Sequence, residues 1–320
     1  MEAVPHNKQE FPIPTLELEQ VTTPEEFLKA VDFNVLNNIF DKLSQKSHDD
    51  TPASTSGHRV TPNAIKFVST EEIGRSGLDG RCIIATGQIF LVWPTQTVDA
   101  ISTYWVVRVL HALIHEATHV RGGFKVQSQL HSYYPEHKAE VSIRWGLHEI
   151  HARENEDGDI EKENIGVSLN EAVTENITHE VLQLYLQQTG ENKLFTDPAL
   201  RKQVGFSFYG LDRFFLELVI NILSQSLQTD RDEIWRGFVH AHMNGNIEMI
   251  QLLQNLSSQL KNNSYIDEIL SQGADRELDT KLINGLLFDE IKNTPQEQML
   301  ANKIKEVLNI SKFRDVLKLQ

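Results

Sequence analysis

The sequence predicts an α+β fold, with a small mixed sheet in the first half and a helical C-terminal half. Three observations carry that expectation. Between Asp79 and Pro94, two short β-rich runs flank a Thr86-Gly87 turn. From about Val98 to Val120 the apolar spacing becomes helical and stops at Gly122-Gly123. From about Leu169 helical periodicity resumes and runs, with breaks, to the C-terminus.

In chain order, the first element is a helix starting at Thr23. Thr23-Pro24-Glu25-Glu26 offers an N-cap hydroxyl, a proline at the first helical position and a glutamate at the third. Phe27, Leu28, Val31, Val35, Leu36 and Phe40 then form one apolar stripe. Gln45 to His58 is rich in Ser, Thr, Asp and Pro and reads as a linker. Asp79-Gly80 is a turn signal, and Cys82–Ala85 and Gln88–Trp93 are the strands of the first hairpin. Val141, Ile143 and Trp145 alternate with polar residues, which predicts a second extended hairpin over 139–165 whose far end, Glu154 to Glu163, is charged and solvated. The later helices break near Gly190, Asn244-Gly245-Asn246, Asn262-Asn263-Ser264 and Asn293-Thr294-Pro295. This gives an N-terminal helix and linker over 1–60 and a main domain over 61–320, helical from about 195.

With 320 residues the chain can bury a sizeable core. It carries 30 basic against 45 acidic residues, a net charge of −15, which disfavours nucleic acid and anionic membrane surfaces as partners. Its single cysteine, Cys82, forms no disulfide within the chain and fits a reducing compartment. Met1 to Pro14 lacks the basic and apolar regions of a signal peptide, and no run approaches the length of a membrane span. A cytoplasmic location is the expectation.

His115-Glu116-Ala117-Thr118-His119 is an HExxH pattern within the helical stretch. Residues four apart lie on one helix face, so both imidazoles can reach one cation. Glu116 lies about 100° further round and can reach a water at the same ion. The bland alternative is a surface helix with two unrelated histidines. A catalytic zinc takes three protein ligands. In the HExxHxxGxxH pattern Gly122 fits, but the third ligand position holds Lys125, whose ammonium cannot serve. A second candidate stretch, Asn170-Glu171-Ala172-Val173-Thr174-Glu175, begins one residue after Leu169 on the next helix.

With HExxH upstream, this Leu169–Glu175 stretch resembles the gluzincin metallopeptidases, the class related to thermolysin, and uncharacterised bacterial proteins with HExxH followed by LNExxTE. The resemblance covers roughly residues 80 to 245. It implies a zincin-like domain with an HExxH helix and a Glu-bearing second helix. It implies zinc held by His115, His119 and Glu171, with Glu175 accepting a hydrogen bond from a zinc-ligating histidine, His115 first. It implies hydrolysis of peptide bonds by a zinc-activated water with Glu116 as general base. The gap between the motifs is longer than in thermolysin, and the 139–165 hairpin fills it. Competing readings make Ser168-Leu169-Asn170-Glu171 a capping box and pair Glu175 with His179.

The family's transition-state donor is a Tyr or His after the Glu helix. Tyr209 is the first candidate, and His240 and His242 follow; each sits in apolar surroundings that suit core packing. His111, one turn before His115, reads as core or as a support for the site rather than a fourth ligand. His148 and His151 read as solvated or interfacial, and Cys82 as core. By resemblance, strand Gln88–Val92 offers an edge for an extended substrate. Peptide or protein is thus the expected partner. The alternatives are a non-proteolytic zinc-binding protein that uses the same scaffold for partner binding, and a helical interaction protein docking through residues 200–320.

Overall fold

The computed structural model describes residues 21–46, 58–73, 79–93, 103–130, 139–155, 159–190 and most of 216–253. It is mixed α and β, with two small sheets packed among helices. Of the expected linker, Gln45 and Lys46 close a helix and 47–57 lie outside the described residues, as do Tyr209 and the breaks at 262–264 and 293–295.

Helix α1 (Pro24–Ala30) starts on the expected capping box. The Glu26 amide donates to Thr23 Oγ1 at 3.2 Å, and the Thr23 amide donates to Glu26 Oε2 at 3.1 Å. The apolar stripe then divides between two helices instead of one. The chain turns extended at Val31, and Asp32 Oδ1 accepts from the amides of Asn34 and Val35 to launch α2 (Phe33–Lys46). Both helices belong to the same core as the rest of the molecule. The Asp32 amide donates to Tyr185 Oη at 2.8 Å, and Arg121 pairs with Asp41. Asn37 accepts from the Val60 amide and donates to the Val60 carbonyl, which fixes the chain entering the first strand.

Strands β1 (Ile65–Val68), β2 (Gly80–Ile83) and β3 (Gln88–Val92) form a mixed sheet in the order β1-β3-β2, and the one-turn helix α3 (Thr70–Ile73) follows β1. The β2–β3 hairpin forms around the expected Thr86-Gly87 turn, with Gly87 at φ 68, but its first strand runs Gly80–Ile83 rather than Cys82–Ala85 and Ile84–Gly87 make the turn. The edge assignment needs correction. Gln88–Val92 is the central strand, parallel to β1 and antiparallel to β2, so its backbone is paired on both sides. The edge lying against the HExxH helix is β2.

That helix, α4 (Thr103–Arg121), buries Val106, Leu110, Leu113, Ile114, Ala117 and Val120. A second sheet follows: β4 (Phe124–Leu130), β5 (Ala139–Trp145), β6 (His148–Glu154) and β7 (Ile160–Ile165), antiparallel in sequence order. Residues 139–165, expected as one hairpin, form three strands, because the charged far end includes most of β7. Helix α5 (Val167–Gln188) packs against α4, and α6 (Arg231–Asn244) ends at Gly245 in the left-handed region, where the sequence shows a break. The turn after α4 is locked to the end of α6 and to the β5–β6 turn: the Gly123 amide donates to the His242 carbonyl, and the Gly146 amide donates to the Gly123 carbonyl, both at 2.9 Å. Among the described residues no helix is long and apolar enough to cross a membrane.

Candidate metal centre

Helices α4 and α5 face each other through two ladders of four-residue spacing. His111, His115 and His119 line one face of α4, and Glu171, Glu175 and His179 line one face of α5. The helices meet so that Glu171 lies between His115 and His119. Its Oε2 is 3.4 Å from Nε2 of each imidazole. The His115 and His119 side chains are 7% and 9% exposed while Glu171 keeps 20%, so the cluster opens to solvent on the Glu171 side.

The same helix pair fixes the imidazoles. His115 Nδ1 donates to Glu175 Oε2 at 3.0 Å, which turns its Nε2 toward the Glu171 carboxylate. His119 Nδ1 has the Thr174 hydroxyl and the Asn170 amide nitrogen each at 3.5 Å. Glu175 is fully buried and also faces His111 Nε2 at 3.1 Å and His179 Nε2 at 3.2 Å. Its expected pairing with His179 is therefore present, alongside the pairing with His115. The capping-box reading of Ser168–Glu171 does not hold. Helix α5 begins at Val167 on the left-handed Gly166 with no side-chain cap, so Ser168 and Glu171 both lie inside it and Glu171 is free to turn toward the histidines.

Electrostatics follow from this packing. Burial disfavours the charge on His115, but its hydrogen bonds to the carboxylates of Glu171 and Glu175 outweigh that and push it up to about 10. Burial likewise opposes ionisation of Glu171 and Glu175, yet the histidines hold both below the ordinary carboxylate range. Glu116 behaves differently: burial lifts it above the ordinary value, with His115 and His119 pulling the other way. A carboxylate raised in this way is well suited to accept a proton. Glu116 lies along β2, where a Cβ on Gly80 would stand 3.0 Å from Glu116 Cγ, so the glycine lets the strand approach the carboxyl. Cys82, on the same strand, shares a side-chain hydrogen bond with Glu116, and burial, followed by the Glu116 charge, raises its thiol. It borders the centre as well as the core.

The remaining histidines sort by position. His242 is 1% exposed, wedged between Gly122 and Gly146, with its Nε2 3.4 Å from the Thr118 carbonyl. Burial, then the nearby His119, lower it to about 3. It is an enclosed, neutral packing residue near His119 and a poor candidate for a donor to substrate. His240 is half-buried on the same helix. His151 lies on β6, 3.5 Å from Glu149. His148 is closer to the centre than its sequence context suggests. The Leu147 amide donates to Asn170 Oδ1 at 2.8 Å, pinning the β5–β6 turn beside Glu171. His148 stacks edge-on to Trp145, donates from Nε2 to Asn164 Oδ1 at 3.2 Å, and interacts electrostatically with Glu171 and His119. Gly146, at φ 55 and with Asn170 Oδ1 only 2.5 Å from where a Cβ would sit, was the one local signal for this close turn.

Comparisons of the chain with protein-family models, curated proteins and solved structures find no match.

The donor set fits zinc. Bonds of about 2.0–2.1 Å at tetrahedral angles hold donor atoms about 3.3–3.4 Å apart, and Glu171 Oε2 stands 3.4 Å from both Nε2 atoms. All three donor atoms lie within 4.8 Å of one another. Substituting Glu175→Gln removes the charge that holds the His115 Nδ1 proton. It is expected to weaken metal retention at this centre about 10- to 100-fold, read by competition with a chelator. Retention equal to wild type would show that Glu175 does not set His115.

Proposed function

We propose that the protein is a zinc-dependent metallopeptidase. The observation that carries this is the convergence of His115 Nε2, His119 Nε2 and Glu171 Oε2, with the buried Glu116 carboxyl alongside and raised in pKa. The layout supports it: a mixed sheet beside an HExxH helix, and a second helix presenting the third donor.

Zinc bound to these three residues supplies Lewis acidity and lowers the pKa of water from 15.7 to about 7. The chain's own residues do the rest. Glu175 holds a proton on His115 Nδ1, which favours a lone pair at His115 Nε2 for the metal, and Thr174 and Asn170 flank His119 Nδ1. The Glu116 carboxylate takes a proton from water and delivers it to the leaving amine, an exchange favoured by the burial that raises its pKa. The outer edge of β2, rather than β3, offers backbone groups to an extended peptide, because β2 runs past Glu116 and, among the described residues, pairs only with β3. A peptide or protein substrate is the corresponding partner.

The test is hydrolysis of a mixed peptide pool by chelator-stripped protein and by the same protein after zinc is restored. Cleavage that appears only with zinc is expected. A folded, zinc-loaded protein that cleaves no peptide in the pool would overturn the peptidase reading and favour a scaffold that binds partners.

A further inference from the structure

We propose that His111, Glu175 and His179 form a second cation site, one helical turn from the first along both α4 and α5. It would take zinc or another late first-row divalent ion, the class suited to two imidazoles and one carboxylate oxygen. A cation there needs only these three donors, whatever reaction the first centre performs.

The geometry repeats that of the first centre. The two helices run in opposite senses at this contact. Stepping back four residues on α4, from His115 to His111, therefore accompanies stepping forward four on α5, from Glu171 to Glu175 and then His179. In the first centre two Nε2 atoms meet one oxygen of Glu171; in the second, the Nε2 atoms of His111 and His179 meet Oε1 of Glu175 at 3.1 and 3.2 Å. The three donor atoms again lie within 4.8 Å of one another. The His111 and His179 rings sit 5.4 Å apart at 64°, turned toward a common point.

Three further features suit an ion. Glu175 Oε2 is already engaged by His115 Nδ1, so Oε1 is left as a single-oxygen ligand with its partner oxygen satisfied. All three donors sit on long helices that the core holds rigid, so little ordering is required on binding. The His111 and His179 side chains keep 13% and 15% exposure, which leaves a route from solvent. The competing occupants are protons on the imidazoles, with Glu175 accepting three N–H groups and no ion present.

Stoichiometry separates the two. Chelator-stripped full-length protein is titrated with zinc alone, desalted and assayed for zinc per chain by elemental analysis, with circular dichroism to check folding. The expected result is two zinc ions per chain in wild type and one in His111→Ala and in His179→Ala. His179→Gln replaces His179→Ala if the alanine variant does not fold, and the wild-type stoichiometry stands by itself. One ion per chain in wild type, lost in His119→Ala and kept in His179→Ala, overturns the second site and leaves the first intact. One ion lost in His179→Ala and kept in His119→Ala supports the second site and overturns the first. No zinc in folded wild type overturns both.

Discussion

Glu116→Gln is expected to lower kcat/KM for peptide hydrolysis by about 10²–10⁴-fold while leaving the metal in place. The substitution keeps the shape of the side chain and its place between Gly80 and the histidines. It removes the group that accepts a proton, and none of the three donors at the first centre is altered. Burial raises Glu116, so the wild-type carboxyl exchanges protons where water and a leaving amine can use it; a carboxamide cannot. Kinetics and metal content are measured on the same preparation. Activity within tenfold of wild type, with metal retained, would remove Glu116 from the chemistry and reopen the choice of base.

Gly123→Ala is expected to destabilise the fold by about 3 kcal/mol or more, a larger loss than ordinary overpacking gives. A Cβ at Gly123 would lie 2.1 Å from both Asn244 C and Gly245 N, against about 3.5–4.0 Å for an ordinary carbon contact. These are backbone atoms at the end of α6, so no rotamer change relieves the clash. The two backbones must part, which breaks the hydrogen bond from the Gly123 amide to His242 and loosens the one from Gly146 to the Gly123 carbonyl. Those bonds hold the turn that latches onto Asn170 beside Glu171, so weaker metal retention should accompany the loss of stability. Gly190→Ala is the control. Gly190 has nothing within 4 Å, and alanine there meets only the cost of its left-handed backbone, about 1–2 kcal/mol. Thermal and denaturant unfolding compare the two. A Gly123→Ala variant no less stable than Gly190→Ala would show that α4 and α6 do not meet as described.

The parts of the molecule legible in its sequence are those governed by local chemistry. Thr23 with Glu26, Thr86-Gly87 and Asn244-Gly245 each specify a cap or turn within a few residues, and each occurs where the sequence puts it. His115, Glu116 and His119 share a helix, so their relation follows from helical geometry alone. The convergence of Glu171 and Glu175 on them depends on how α4 and α5 pack, and it was legible only through a resemblance of motifs. What could not be read are pairings between distant segments. Strand order in the first sheet decides that β2, not Gln88–Val92, is the edge at the helix, and no residue in either strand announces it. Strand β7 was hidden because Ile160–Ile165 is exposed and charged, without the alternation that marks a half-buried strand. His148 reads as a solvated hairpin residue until Leu147 is found latched to Asn170. Tyr209 lies outside the described residues, so the donor to the developing oxyanion stays with the sequence expectation.

The central claim is that His115, His119 and Glu171 hold a metal ion, and bound metal measures it most directly. Zinc per chain is determined by elemental analysis on zinc-reconstituted wild type, His119→Ala and Glu171→Ala, each checked for folding. Each variant is predicted to hold one ion fewer than wild type. A folded wild type that retains no zinc, or a Glu171→Ala variant that holds as much as wild type, would contradict the site as built here.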